Sequence, residues 1–216
     1  AKLVVSSDRQ GRPQFGLFRR HDNQSVVDIP GCQVLSPGLM ELVGDLRTLA
    51  GLVPDELVAL MTPAGDGRGV LTGIDARELL QPEGEDDGEG NILLTLTLAA
   101  ERAGSVEQLR EAARSLRRRF PALAGVAVTL RYGSRQQSSS ETVQLSGAAE
   151  IKDALGVAGG RRGHQLVSHT SFLHVHRGQA DRLYQLMVRL ASEALPDGPG
   201  RILDLYGGTG AIALSL

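Results

Sequence analysis

The chain has a single cysteine, Cys32, among its 216 residues. One thiol cannot form an internal disulfide, and its scarcity suits a reducing cytoplasm, which is the expected location. Long apolar runs are missing as well. None approaches the roughly 20 residues of a membrane-spanning helix, so no membrane is expected as a partner. The opening AKLVVSSDRQ lacks the basic-then-apolar build of a secretory signal. There is no charge excess either: the formal net charge is −2. That gives no global electrostatic pull toward nucleic acid, so local patches must supply any such attraction. What remains is an ordinary globular balance, 41% hydrophobic and 22% charged, in a chain long enough for one large domain or two small ones.

Alternating patterns over residues 2–6, 14–20 and 24–29 predict a short antiparallel meander. Ser36 then reads as a helix N-cap with Pro37 at the first helical position. Leu39, Leu42, Val43, Leu46, Leu49 and Ala50 form its one-sided stripe, and Gly51 closes it. Strands are expected over 56–62, 69–74 and 91–98, with an acidic, glycine-rich loop at 81–90. Ser105 and Gln108 make a capping-box pattern ahead of a second helix with Val106, Leu109, Ala113, Leu116 and Phe120 inward. Strands over 126–132 and 142–145 follow, with 133–140 as a hairpin loop. Connections this short imply a largely antiparallel α+β domain over residues 1–160. Beyond a glycine-rich linker at 159–163, a third helix is expected over 177–195, with Ala180, Leu183, Tyr184 and Met187 on one face.

The chain closes on RILDLYGGTGAIALSL, an apolar strand at 202–206, a glycine turn and the start of a helix. This is the pattern of the first βα turn of a doubly wound sheet, where nucleotide-like ligands sit. Gly208 and Gly210 let a ligand approach where a Cβ would clash. Together with Ala213 they also satisfy the dinucleotide fingerprint G-x-G-x-x-A, so a dinucleotide-dependent oxidoreductase is an alternative, and a plain structural turn is another. Asp204 and Tyr206 favour S-adenosylmethionine. A carboxylate four residues before Gly208 suits a cationic amino-acid ligand and offers nothing to a pyrophosphate, while an aromatic at 206 gives the cofactor an apolar contact.

The stretch SHTSFLHVHRGQADRLYQLM followed by RILDLYGGTGAIALSL resembles RNA uracil-C5 methyltransferases. In that family a segment S-x-x-S-F-F-Q-V-N-x-x-Q-A-x-x-L-Y precedes a helix and V-L-D-L-Y-C-G-x-G. Ser171, Phe172, Val175, Gln179, Ala180, Leu183, Tyr184, Asp204, Leu205, Tyr206, Gly208 and Gly210 stand where the pattern places them. Upstream, FGLFRRHDNQSVVDIPGCQVLSP and VQLSGAAEIKDALG are similar to the family's earlier segments. The resemblance implies an antiparallel central domain followed, over 161–216, by the incomplete first βα unit of a class I, Rossmann-like methyltransferase fold. It implies S-adenosylmethionine held by Tyr206, Gly208, Gly210, Asp204 and His174. It implies methylation of uracil carbon-5 in RNA, with 23S rRNA expected ahead of tRNA, and RNA as the partner, with no obligate protein partner.

The departures are specific. His174 stands in the slot of the glutamine in F-Q-V-N, His176 in that of the helix-capping asparagine, and Gly207 in that of the cysteine in Y-C-G. In members with a [4Fe-4S] cluster, the cysteine matching Cys32 in D-x-x-x-C (Asp28 to Cys32) is one of four ligands. The other three would lie upstream, so this chain cannot hold a cluster alone. Such enzymes add a cysteine to carbon-6 and use a carboxylate base at carbon-5, and both groups are expected beyond Leu216. The chain alone is therefore expected to be inactive. The alternative is a non-catalytic RNA-binding module or a diverged homologue. Histidines 164, 169, 174 and 176 lie close together without an acidic neighbour and make a weak metal candidate. Arg19–Arg20, 117–119 and 161–162 are candidate phosphate contacts.

Overall fold

In the computed structural model the described residues are 1–64, 69–82, 90–134, 137–155, 163–174, 176–195, 201, 203–205 and 207–215. They divide into two compact units, one of Ala1–Glu78 with Glu89–Ala149, the other of Leu79–Gly88 with Glu150–Leu216. The division thus falls ahead of the glycine-rich stretch at 159–163.

The first unit is built on one seven-stranded sheet. The meander forms β1 (Lys2–Ser7), β2 (Pro13–Arg19) and β3 (Asp22–Asp28), followed by β4 (Leu71–Glu78), β5 (Ile92–Ala99), β6 (Leu123–Ser134) and β7 (Gln137–Gly147). Their order across the sheet is β3-β2-β1-β4-β5-β6-β7. Every neighbouring pair is antiparallel except β5 with β6, which run parallel. A parallel pair needs a crossover, and the helix between them, Val106–Arg119, supplies it. The result is a mixed α/β architecture.

Local chemistry starts each long helix where the sequence signals it. In α1 (Pro37–Gly51) the Ser36 hydroxyl accepts from the Leu39 amide, and the whole stripe from Leu39 to Ala50 is buried. Asp28 takes part in fixing this helix: Arg47 donates to its carboxylate and to the carbonyls of Phe15 and Ile29, and lies over the Phe15 ring. The helix Val106–Arg119 has the full reciprocal capping box of Ser105 and Gln108, with Leu109, Ala112, Ala113 and Leu116 inward. These faces and the sheet enclose a core in which Phe15, Leu46, Leu57, Leu60, Leu71, Leu94 and Leu96 have essentially no exposure. Each such side chain contributes about 1.5–3 kcal/mol by leaving water.

Two expectations need correction here. Residues 56–62 are not a strand: Asp55–Leu57 is a 3-10 turn running into the short α2 (Val58–Met61). Leu57, Leu60 and Met61 are buried at i, i+3, i+4, and a run this short fits helix and strand periods equally well. Residues 133–140 are mostly strand, with Arg131 paired to Ser140 and Gly133 to Ser138. Serine-rich composition misled there, because an edge strand facing water tolerates polar side chains on both faces. The helix Val106–Arg119 is α3.

The second unit holds a two-stranded hairpin, β8 (Glu150–Leu155) with β9 (Gly163–Ser168), then α4 (Arg177–Ala194) and α5 (Ala211–Ser215). His176 does the work expected of an asparagine at the start of α4, its Nδ1 accepting from the Gln179 amide at 3.3 Å. The buried strand expected over 202–206 is a further correction. The described residues there, 203–205, carry no strand, and Leu203 and Leu205 are 80% and 69% exposed. A parallel strand exists only by pairing, and among the described residues no strand pairs with this segment. Among the described residues no helix is long and apolar enough to cross a membrane.

Candidate cofactor-binding site

The glycine turn has the backbone that its glycines permit. Gly208 and Gly210 sit in the left-handed region at φ +56° and +78°. There an L side chain is strained, so these two positions favour glycine for conformation. The Gly210 amide donates to the Gly207 carbonyl at 2.8 Å, and the Leu214 amide to the Gly210 carbonyl at 2.8 Å, which starts α5 directly after the turn.

Asp204 folds back onto this turn. A Cβ on Gly207 would come within 3.1 Å of its Oδ2, so the glycine in the family's cysteine slot leaves room for the carboxylate. That same Oδ2 is buried and accepts no hydrogen bond among the described residues. A buried acceptor without a donor is unusual and calls for an explanation. Tyr206 lies outside the described residues.

A polar network missed in the sequence holds the turn to the hairpin. Asp153 and Gln165 are directly opposite each other on β8 and β9 and are 2% and 5% exposed. Asp153 Oδ1 accepts from the Leu80 amide at 3.0 Å and from Arg177 Nη2 at 2.7 Å. Its Oδ2 accepts from Gln165 Nε2 at 2.9 Å. The Thr209 hydroxyl, between the two left-handed glycines, donates to Gln165 Oε1. The network therefore links the turn, the hairpin and the first residue of α4. Its sequence signal was present: the inward positions of β8 and β9 alternate Ile151, Asp153, Leu155 and Gln165, Val167, so two polar residues occupy apolar slots.

His174 is exposed, its ring edge-on to Phe172 (5.3 Å) and Tyr184 (6.2 Å). Tyr184 joins Leu155, Ala180 and Ala211 in a small apolar cluster, so the chain from His174 reaches α5 through Tyr184. Burial, with the nearby Asp181 and Asp153 carboxylates, pushes the Tyr184 hydroxyl above its ordinary range, so it stays a neutral donor. Cys32 is half-buried in the other unit, its amide 3.4 Å from Met40 Sδ. Among the described residues no three His, Cys, Asp or Glu side chains gather as metal ligands, and the iron–sulfur expectation finds no support.

No family model matches the sequence, and no curated protein resembles it significantly. A solved structure does resemble it in fold. The Pyrococcus abyssi tRNA (uracil-54, C5)-methyltransferase, in complex with S-adenosyl-L-homocysteine, superposes with a TM-score of 0.61 at 16% identity, covering 98% of this chain. The fold is shared with a methyltransferase. The chain spans 44% of that enzyme's length, so the likeness establishes architecture for this part alone.

Proposed function

We propose that this chain is part of an S-adenosylmethionine-dependent methyltransferase that modifies carbon-5 of uracil in RNA. The observation that carries the reading is the fold likeness across 98% of the chain to an enzyme of that activity. The likeness is to a tRNA enzyme and offers no support for 23S rRNA over tRNA. The domain reading belongs to the same proposal: residues 161–216 begin the cofactor-binding domain.

The turn fits the cofactor. When bound, S-adenosylmethionine supplies an electrophilic methyl group. Gly208 and Gly210 would let the ligand lie against the backbone, and Asp204 Oδ2, which accepts nothing from the described residues, would take a hydrogen bond from the cofactor's cationic amino group. A pyrophosphate would be repelled at the same atom, which argues against the dinucleotide alternative. His174 and Tyr206 complete the proposed set, with His174 held by Phe172 and Tyr184. Asp153, Gln165 and Arg177 would act by holding the turn rather than by touching the cofactor. Cys32 is the chain's one thiol and is not assigned as nucleophile.

The test is methyl transfer by the complete gene product, read by mass analysis of RNA nucleosides. Gain of 5-methyluridine in vitro and its loss from a deletion strain are the expected results. No transfer and no lost nucleoside would overturn the proposal. Gly210→Val should abolish cofactor binding by calorimetry while α4 and the hairpin stay folded, and unchanged affinity would remove the turn from the site.

A further inference from the structure

One concave surface in the first unit has positive charge and no negative charge in its lining. Arg114, Arg117 and Arg118 of α3 converge with Ser146 of β7 around a recess of about 370 Å³. The spacing i, i+3, i+4 brings the three arginines onto one face of the helix. A second groove that shares Arg114 and Arg118 also has Asp55, Glu56 and Glu111 in its lining. The recess has no acidic lining residue, so the chain's overall balance of charge does not hold there.

Basic residues in the last turn of a helix commonly answer the helix dipole. That end carries only about half a negative charge, and three guanidinium groups exceed it several-fold. Arg117 is also held in place. Its Nε donates to the Leu123 carbonyl at 3.1 Å, and its guanidinium lies against Gly147, where a Cβ would fall 2.6 Å away. Gly147 has φ +76°, and the Gln144 amide nitrogen lies 3.1, 3.1 and 3.0 Å from the carbonyls of Ser146, Gly147 and Ala148, which fixes the loop bearing the serine. Arg114 is tied only loosely, 3.6 Å from an exposed Glu107 carboxylate, a pair that a stronger anion displaces readily. Arg118 is exposed.

We infer that Arg114, Arg117, Arg118 and Ser146 form a phosphate-binding site that holds the backbone of the RNA substrate on the seven-stranded unit. The inference rests on the RNA reading above. Forked guanidinium groups match phosphate oxygens in pairs, stay charged at any working pH, and carry no sequence preference, so the site positions the RNA and does not select the uridine.

The experiment uses the full 216-residue chain and a fluorescein-labelled RNA hairpin with loop uridines, read by anisotropy from 50 to 200 mM salt. Arg114→Gln with Arg118→Gln should weaken binding roughly tenfold or more at 0.1 M salt and lower the salt slope by about 2. Arg182→Gln with Arg189→Gln removes equal charge from α4 and should change little. Both sites are exposed, so unchanged circular dichroism melting confirms that neither pair disturbs the fold. Equal losses in the two double variants, or no loss in the first, overturn the site, as does a chain that fails to bind the hairpin. Competition by polyglutamate as strong as by RNA overturns it in favour of an acidic protein partner. RNA binding by this chain, with no methyl transfer by the complete gene product, leaves the site standing and removes the methyltransferase reading. Methyl transfer by the complete gene product, with undiminished RNA binding in the α3 variant, does the reverse.

Discussion

In the seven-stranded unit, Phe15, Leu46, Leu71, Leu94 and Leu96 meet at the centre of a sheet covered by α1 and α3, with the helix starts closed by serine caps. In the second unit a described apolar cluster is Leu155, Ala180, Tyr184 and Ala211, and a polar chain runs from half-buried Arg177 through buried Asp153 and Gln165 to half-buried Thr209. Phe172, Leu203 and Leu205 meanwhile stay 74%, 80% and 69% exposed. The first unit draws its stability from area removed from water, which tolerates many individual changes. The second relies on directed hydrogen bonds, which fix positions more tightly but fail when one partner is removed. The candidate cofactor turn is attached to the second kind of scaffold.

The sharpest way to break this contrast is through the large core. Leu46→Ala deletes a side chain with no exposure and should cost about 2–5 kcal/mol, depending on how far the site collapses. Denaturant unfolding followed by circular dichroism measures it, since the chain has no tryptophan. A loss below about 1 kcal/mol would mean that the core around α1 is looser than its burial indicates. The next effect belongs to the second unit. Asp153→Ala leaves the Leu80 amide and the Gln165 amide nitrogen without their acceptor, at about 1–3 kcal/mol. Arg177 is 36% exposed and can turn to water, so its charge adds little to that cost. Amide exchange should quicken in the hairpin and at the start of α4 and stay slow in the sheet of the first unit. Uniform quickening would show that the two scaffolds are not separable.

How far each unit could be read from sequence follows from the same contrast. Periodicity and caps report on apolar packing, so α1, α3 and the meander were legible, and the Ser36 and Ser105 caps form as read. They report poorly on short runs, and Leu57, Leu60 and Met61 passed for a strand. They can mark a polar residue in an inward slot, as at Asp153 and Gln165, but they do not show that two such residues face each other across a strand pair. Asp153 and Gln165 meet only because β8 and β9 pair, and that pairing was not foreseen. In the candidate site the glycines were legible because their conformation is local. The strand expected over 202–206 is absent at the described residues 203–205, because a parallel strand is made by its neighbours and not by its own apolar run. His174 was singled out through family likeness, and its contacts with Phe172 and Tyr184 could not have been read from spacing.

The smallest expected effect concerns the cap that the second unit makes from an unusual residue. His176 accepts from the Gln179 amide through Nδ1 at 3.3 Å and is exposed, so the bond is long and competes with water. His176→Ala should therefore cost only a few tenths of a kcal/mol, toward the low end for cap removal. His176→Asn places a shorter, better capping acceptor at the same backbone position and should restore or slightly exceed the original stability. Exchange of the Gln179 amide gives the direct readout, faster in the alanine variant and at least as slow in the asparagine variant. If alanine leaves that amide as protected as before, the cap contributes nothing. The start of α4 would then be held by Arg177 on Asp153 and the Ala154 carbonyl, by the backbone bonds of Gln179 and Ala180 to the residue-176 carbonyl, and by Ala180 in the apolar cluster. The polar chain from Asp153 would then matter more than the side-chain cap.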